Sequence, residues 1–436
     1  MKNITFLTLL VALTTSISAS AQEVLTLQDA VKKGLESNYN VRLAGNDLKT
    51  ATNNNTYGNA GFFPKIDATI GGNLKSSSDE TTALNGTKTS NSPQTVNASA
   101  GLSLSWTLFD GMNMFISKEK LDMLQQVGET ALRINMENTT AQIIMSYNSI
   151  VQQKKLIKVF TEALNISLQR ASIARKAKSI GAGSEVAMLK SEVDYKTDSA
   201  NLIQQKLALS NLKADLNELL GRNPQQDFDV SDISLAPESI NLSDIMTKGL
   251  EQNPSLIATR QQQTVSELDV KSAKSSRLPS INLNSSYTFN QYDYKNGSYD
   301  KMNSHGPFVG VTAGVTLFNG FKVRRNIRNA QIQLENAQVR TEQMEQALRT
   351  DIIKGYNAFT TNTALVDIEQ KSLALAQRNL DIAIKAYAQG SISDLEMRET
   401  QKNFVDVSYR LINAQINLKN TEVELRRISG TLTVKN

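Results

Sequence analysis

The chain states one pattern twice. Leu27 to Asn38 (LQDAVKKGLESN) returns 215 residues later as Leu242 to Asn253 (LSDIMTKGLEQN), and Pro64-Lys-Ile66 returns at the same offset as Pro279-Ser-Ile281. Thr107-Leu-Phe-Asp-Gly111 then matches Thr316-Leu-Phe-Asn-Gly320 at an offset of 209, which holds through Tyr147/Tyr356, Gly181/Gly390, Ser184/Ser393 and Gly221/Gly430. Two copies of about 200 residues exclude a short-period solenoid. They imply a duplicated supersecondary unit whose single length change lies between residues 66 and 107, in a loop. A unit used twice builds a pseudo-symmetric wall.

The ends and the composition narrow the setting. Lys2, the apolar run Phe6 to Leu13 and Ala19-Ser20-Ala21 before Gln22 read as a secretory signal over residues 1–21. The run is too short for a spanning helix, which needs about 20 apolar residues; a retained anchor is the alternative. No later stretch is apolar over that length, so no transmembrane helix is expected. Cysteine is absent, which removes disulfides, thiolate metal sites and a lipid-bearing cysteine, and leaves extended packing or oligomerisation to stabilise an exported chain. Basic residues outnumber acidic ones 47 to 42. They are dispersed along helical segments, so nucleic acid is a poor partner. Lys322, Arg324, Arg325 and Arg328 form one local cluster, suited either to acidic lipid headgroups or to plain helix surface.

Each copy reads as helix, strand, polar loop, strand, long helix, tight turn, long helix. The first repeat covers residues 22–221, a linker 222–241 with Pro224 and Pro237 follows, and the second repeat covers 242–436. Thr26 and Asn241 cap the opening helices, with Asp29 and Asp244 near their N-termini. A further helical stretch ends at Pro64 and Pro279, where proline switches the chain to strand.

Strands are expected over about 64–74, 96–109, 279–290 and 308–318 by their period-two pattern. Val96, Ala98, Ala100, Leu102, Leu104, Trp106 and Leu108 alternate with Asn97, Ser99, Gly101, Ser103, Ser105 and Thr107. Val309 to Leu317 does the same with Gly310, Thr312, Gly314 and Thr316. One apolar and one small polar face mean a sheet wetted on one side, half of a soluble sandwich or a membrane-spanning sheet. Four strands supply no second sheet to cover the apolar face. Residues 75–95 and 290–307, the latter holding the single histidine His305, read as exposed loops.

Long helices are expected over about 112–180, 184–220, 321–389 and 393–429. The first, at 1.5 Å per residue, would run roughly 100 Å. Ile352, Phe359, Val366, Leu373, Leu380 and Tyr387 recur every seventh residue, answered by Ile143, Ile150, Ile157, Leu164 and Ala171. Such a seam is that of a left-handed coiled coil. Gly181-Ala-Gly183-Ser184 and Gly390-Ser-Ile-Ser393 supply positive φ and then a capping hydroxyl, with Glu396 completing a capping box.

No catalytic constellation emerges. One histidine and no cysteine exclude triads, thiol catalysis and histidine-bearing metal motifs. Gly181-Ala-Gly183 lacks the strand and lysine of a phosphate loop. No enzyme activity, cofactor or metal is expected. Glu185 and Asp394 stand at matching positions after the turns, where acids complement a helix N-terminus. Phe62, Phe63, Trp106, Phe109, Phe318 and Phe321 gather at the strand–helix junctions, where a membrane interface would place aromatics. Spanning strands cannot leave open edges in lipid, and four cannot close alone since about eight are needed. The strands must be pooled in an oligomer.

The duplicated Gly-Leu-Glu-Ser-Asn and Gly-Leu-Glu-Gln-Asn openings, the Leu-Phe-Asp-Gly and Leu-Phe-Asn-Gly strand ends and the turns before Ser184-Glu185 and Ser393-Asp394 together resemble the TolC-like outer membrane efflux proteins. The resemblance covers essentially the whole mature chain. It implies an α+β membrane protein: a homotrimer with a 12-stranded β-barrel in the outer membrane, continued by an α-helical periplasmic tunnel. Three chains of two repeats would surround a channel with six-fold pseudo-symmetry. The duct would be passive, docking at its helical tips to a periplasmic adaptor and through it to an inner-membrane transporter of the RND, ABC or MFS type. The resemblance makes Glu185, Asp394 and Tyr387 candidates for the periplasmic aperture, and Gly181, Gly183, Ser184, Gly390 and Ser393 candidates for adaptor docking. Ser391, Ile392 and Ser393 stand after Gly390 where an arginine would be expected, so an arginine lock there is missing and closure would rest on packing. A secreted structural coiled coil and a diffusion porin are the alternatives; the long helices argue against the porin.

Overall fold

The computed structural model describes residues 24–295 and 300–432; the signal-like segment lies outside them. In chain order the elements are β1 Val24–Leu25, α1 Leu27–Ser37, α2 Tyr39–Asn54, β2 Lys65–Ser76, β3 Asp79–Thr82, β4 Lys88–Asn91, β5 Gln94–Asp110, α3 Asn113–Ser179 and α4 Glu185–Leu219. The second half gives β6 Asp229–Val230, α5 Leu242–Gln252, α6 Pro254–Ser275, β7 Ser280–Lys295, β8 Lys301–Gly314, α7 Lys322–Ala388 and α8 Asp394–Ile428. The duplication is metrical as well as sequential. α3 and α7 are each 67 residues long, and α4 and α8 are each 35.

The caps follow local chemistry. Thr26 Oγ1 accepts from Asp29 N–H and Asn241 Oδ1 from Ser243 N–H. Asn253 closes α5 and caps α6, accepting from Leu256 N–H, with Pro254 at the start of the helix. All four long helices end at a glycine or just before one, at Gly181, Gly221, Gly390 and Gly430, each with positive φ. At each end the residue after the glycine donates back five residues, as in Ala182 N–H to Ala177 O and Ser391 N–H to Ala386 O. This pairing satisfies carbonyls that the helix end leaves open.

Chain contacts divide into two compact units, each drawing on both repeats. The first takes in the described residues up to Asn38 with 139–239 and 357–424; the second takes 39–138, 240–356 and the segment from Leu425 on.

In the first unit, Leu25, Ala30, Ile143, Tyr147, Ile150, Leu216, Leu220, Phe228 and Val230 form a buried core. The linker contributes to it, because β6 pairs in parallel with β1. The Tyr147 hydroxyl lies 2.9 Å from Leu25 O, Ser231 O and Ser231 Oγ, fastening that pair from beneath. Lys154 Nζ reaches Asp229 at 2.6 Å and holds its carboxyl below the usual range despite partial burial, which acts the other way. A second cluster, Ile166 of α3, Leu380 and Ala383 of α7 and Met397 and Phe404 of α8, packs three of the long helices together near their turns.

In the second unit, a four-stranded antiparallel sheet has the order β2-β5-β7-β8, and β3 with β4 forms a separate hairpin. β8 runs from Lys301 to Gly314, whereas the alternation had pointed to 308–318. Its partner β7 begins at Ser280, opposite Gly314, so residues 315–318 have no ladder to join. Residues 290–295 and 301–307, read as loop for their polarity, are strand, because backbone pairing tolerates polar side chains beyond an apolar band. His305 therefore sits on a strand, not in a loop. In the first copy, α2 stops at Asn54, ten residues before Pro64, and a short turn fills the gap.

Candidate functional site

Two places carry side chains whose arrangement exceeds what packing needs. The first is the sheet of the second unit. Cross-strand partners put Ile70, Ala100, Phe289 and His305 in one row, Ala68, Leu102, Tyr287 and Pro307 in the next, and Ile66, Leu104, Ser285 and Val309 in the third. Trp106, Leu283 and Val311 follow. The opposite face reads Thr69, Gly101, Thr288 and Gly306, then Asp67, Ser103, Ser286 and Phe308. Ile70, Leu102, Val309 and Val311 are all exposed, so nothing in the unit covers the apolar face.

Beyond the His305 row the same face turns polar at Gln291, Asn303, Asp293 and Lys301. From that row to Trp106 is six residues of β5, roughly 20 Å at about 3.4 Å each. Both borders of the band are aromatic. The His305 ring lies 6.2 Å from Phe289 and 6.5 Å from Tyr287. At the other border Trp106 Nε1 donates to Phe62 O at 2.9 Å, and Phe62 packs edge-on against Phe115 and Tyr57. Phe318 and Phe321 pair in the same manner, while Phe63 is exposed. A bulge between Thr107 and Phe109 inserts one residue, so Phe109, and not Leu108 as strict alternation would have it, aligns with Ile281 and Ala313.

The second place lies at the turns of the first unit. Ser184 and Ser393 cap α4 and α8 by accepting from Ala187 and Glu396 N–H. Gly181 and Gly390 have φ of +77° and +71°. Gly183 serves differently: a Cβ there would stand 3.0 Å from the Ala177 side chain and 3.1 Å from its backbone, so lack of space, not positive φ, demands glycine. Glu185 and Asp394, alike in sequence position, are unlike in structure. Glu185 is exposed and meets Lys178 at 3.1 Å. Asp394 is largely buried, accepts from Arg170 at 2.6 Å and lies 3.2 Å from the Tyr387 hydroxyl.

Asp394 belongs to a polar network that the sequence reading missed. Arg170, from α3, is almost wholly buried and also reaches Asp194 of α4 at 3.2 Å and Gln401 of α8 at 3.3 Å. Arg398 of α8 holds Asp198 of α4 through two bonds of 2.6 and 3.0 Å. Gln401 donates to Ala163 O and Ser167 Oγ on α3, and Ser167 donates to Asp198. Two guanidinium groups thus meet three largely buried carboxylates, beside a cavity lined by Ala163, Asp198, Arg398 and Gln401. Burial alone disfavours the Arg398 charge, but the bonds to Asp198 and the neighbouring carboxylates keep its pKa above the ordinary arginine value. Burial, with the Asp394 charge adding to it, pushes the Tyr387 hydroxyl up to about 12. An arginine is therefore present at the tip, contributed by α3 and not by the residues after Gly390. No spacing rule in the sequence links Arg170 to Asp394. The only signal was a charged residue beside the seam position Ala171.

Among the described residues no group of three or more histidines, cysteines or acids is placed to hold a metal ion. No helix among the described residues is long and apolar enough to cross a membrane.

Comparison with known proteins places this architecture. Residues 30–222 and 246–431 match the outer membrane efflux protein family. The outer membrane efflux protein BepC of Brucella suis biovar 1 is 22% identical over 76% of the chain and 72% of its own length. The outer membrane protein TolC of Salmonella enteritidis is 20% identical over 80% and 72%. Among solved structures, the CmeC outer membrane channel of Campylobacter jejuni superposes with a TM-score of 0.75 at 17% identity, over 94% of this chain and 87% of that one. The outer-membrane channel OprN gives 0.72 at 17% identity over 93% and 89%.

Proposed function

The chain belongs to the outer membrane efflux protein family, and from that premise we propose that three copies form a passive export duct whose sheets close a 12-stranded barrel. Its location is the outer membrane, with a large periplasmic helical part. The sheet supports the barrel reading. β2 and β8 are its two edges and run in opposite directions, so β8 of one copy can pair antiparallel with β2 of the next. Open edges in lipid are too costly to persist.

The observation that carries the ring lies in the helices of the first unit, in the 209-residue register. On the face where α3 meets α8, Leu156 and Ile166 of α3 are 4% and 6% exposed, and Ile412 and Ile416 of α8 are 8% and 2%. Their counterparts are open. Leu365 and Leu375 of α7 are 42% and 71% exposed, and Ile203 and Leu207 of α4 are 66% and 62%. Asn148 of α3 donates to Asn420 of α8 at 2.8 Å, and both counterparts, Asn357 and Asn211, are asparagine again. A second copy whose α4 packs on α7 of the first, as α8 packs on α3 within the chain, covers both stripes and pairs the two asparagines. Such a contact is heterologous, and it closes into a ring when the rotation from copy to copy is one third of a turn.

In this reading the paired turns face the periplasm and meet an adaptor, which links the duct to an inner-membrane transporter. Glu185, Asp394 and Tyr387 set the aperture, Glu185 as an exposed charge and Asp394 through its buried bonds. Detergent extraction from outer membranes followed by native mass determination tests the assembly; three copies are expected, and a stable monomer would sink the proposal. Leu375→Glu is expected to break the ring while leaving helix content intact. For the aperture, Glu185→Gln with Asp394→Asn is expected to weaken cation selectivity in planar bilayers. Unchanged selectivity would remove both acids from the aperture, leaving Glu185 as a helix-terminus residue and Asp394 as a member of the buried network alone.

A further inference from the structure

The basic cluster that opens α7 has no part in the duct as described. Lys322, Arg324, Arg325 and Arg328 are all exposed. Arg328 stands three residues after Arg325 and four after Arg324, so the three arginines share one helix face. Among the described residues none of the four has an ion-pair partner, and their one side-chain bond runs from Arg325 Nη1 to Gly320 O at 3.1 Å. Cations are disfavoured at a helix N-terminus, yet the first acid of α7 is Glu335. The end of α6 and the start of β7 are alike: residues 270–280 contain no acid, and Arg277 there is exposed. The first repeat has none of this. Shifts of 209 and 215 residues carry Lys322, Arg324, Arg325 and Arg328 onto Asn113, Phe115, Ile116 and Glu119, and Arg277 onto Phe62. Where the first repeat stacks Phe62 edge-on against Phe115 at 5.0 Å, the second holds two arginines.

We propose that this face binds the phosphate of an anionic phospholipid in the periplasmic leaflet, once per copy, at the border of the second repeat alone. The inference rests on the membrane reading of the sheet. The aromatics set the direction in which the arginines point. Phe318 is the counterpart of Phe109, which aligns with Ile281 and Ala313 on the apolar face. Phe318 packs edge-on against Phe321 at 5.4 Å, and Phe321 stands three residues before Arg324 and four before Arg325. The arginine face therefore continues the apolar face of the sheet, not the polar one. Assembly brings no counter-charge either. Asn113 meets Ser272 and Lys120 meets Asp269 within the chain, and the same shifts set α2 of the next copy against Lys322 and Asn329. Residues 48–64 of that copy contain no acid. A guanidinium offers paired N–H donors whose spacing matches phosphate oxygens, and the aromatic band beside it receives the acyl chains.

The two repeats supply their own control. Trp106 reports the border of the first repeat, and the double variant Trp106→Phe with Phe318→Trp moves the single indole to the border of the second. The full-length protein is reconstituted in vesicles of phosphatidylcholine with phosphatidylglycerol as the minor lipid, one or the other brominated close to its headgroup. At the Phe318→Trp indole, brominated phosphatidylglycerol is expected to quench about threefold more per mole than brominated phosphatidylcholine. That preference is expected to vanish when Arg324→Gln, Arg325→Gln and Arg328→Gln are added. It should also vanish, without those substitutions, in about 1 M potassium chloride, where the screening length falls to about 3 Å. Trp106 in the wild type is expected to be quenched equally by both lipids. Equal quenching at the Phe318→Trp indole would overturn the site, as would a preference that survives the three substitutions or appears equally at Trp106. Quenching by neither lipid at either border would instead reject the membrane reading, and the site with it.

Discussion

Ile143 lays its Cδ1 methyl over the bare α-carbon of Gly34, in the space a Cβ on that residue would occupy. The second repeat does the same in the other unit, where a Cβ on Gly249 would stand 2.7 Å from Ile352 Cδ1. The opening helix of each repeat thus touches its long helix through a glycine, and the isoleucine is the first residue of the seven-residue seam. Gly34→Ala is expected to destabilise by about 1–3 kcal/mol through overpacking, read as a lowered thermal midpoint. Adding Ile143→Val, which deletes the offending methyl, should recover most of the loss; no recovery would mean that the glycine is needed for another reason.

Tyr387 gives an optical report on the buried network. Its pKa of about 12 means that the folded protein keeps the phenol neutral between pH 10 and 12 while the unfolded chain ionises. Stability is therefore unaffected below about pH 10, the ordinary tyrosine value, and falls as pH rises towards 12. The ultraviolet titration of wild type minus Tyr387→Phe should contain one phenol with this late transition. Asp394→Asn is expected to move it down, because the Asp394 charge helps to raise it. A difference titration centred at 10 in the wild type would remove Tyr387 from the network.

The only tryptophan in the chain stands at one border of the apolar band, its indole nitrogen bonded to Phe62 O. In vesicles of brominated lipids, Trp106 emission should be quenched most by bromines close to the headgroups and least by those at the chain ends. Strongest quenching from the bilayer centre would shift the band by about half its height and displace the proposed interface.

Removing the Tyr147 hydroxyl leaves Leu25 O and Ser231 O without their shared partner. Tyr147→Phe is expected to cost about 1–3 kcal/mol, the range for stranding buried polar groups. Amide exchange should quicken in β1 and β6, the strands this hydroxyl bridges, before it quickens in α4. Uniform acceleration throughout the first unit would instead point to general loosening.

Regular elements were legible in the sequence because each rests on a short-range rule. Helix ends followed from Gly181, Gly221, Gly390 and Gly430, the strands from alternation, and the seam from the isoleucines and leucines seven apart. Long-range polar contacts were not legible. Arg170 and Asp394 are 224 residues apart, and a helix records which residues share a face but not which other helix that face meets. Positional equivalence also misled: Glu185 and Asp394 occupy the same place in the repeat, yet only one has a buried arginine across from it. The outer strand ends were lost because polar side chains hide a ladder made entirely of backbone.

Equal helix lengths in the two repeats, 67 with 67 and 35 with 35, also constrain how such a gene can drift. Inserting one residue in α3 alone would advance its end by about 1.5 Å and turn it by roughly 100°. Arg170 would then point away from Asp394, and the α3–α4 turn would no longer end level with the α7–α8 turn. Changes in sevens, made in all four helices together, keep both phase and height. Length here behaves as a quantised, jointly inherited trait, and natural variants should differ in the loops far more readily than by a single residue in any one of these helices.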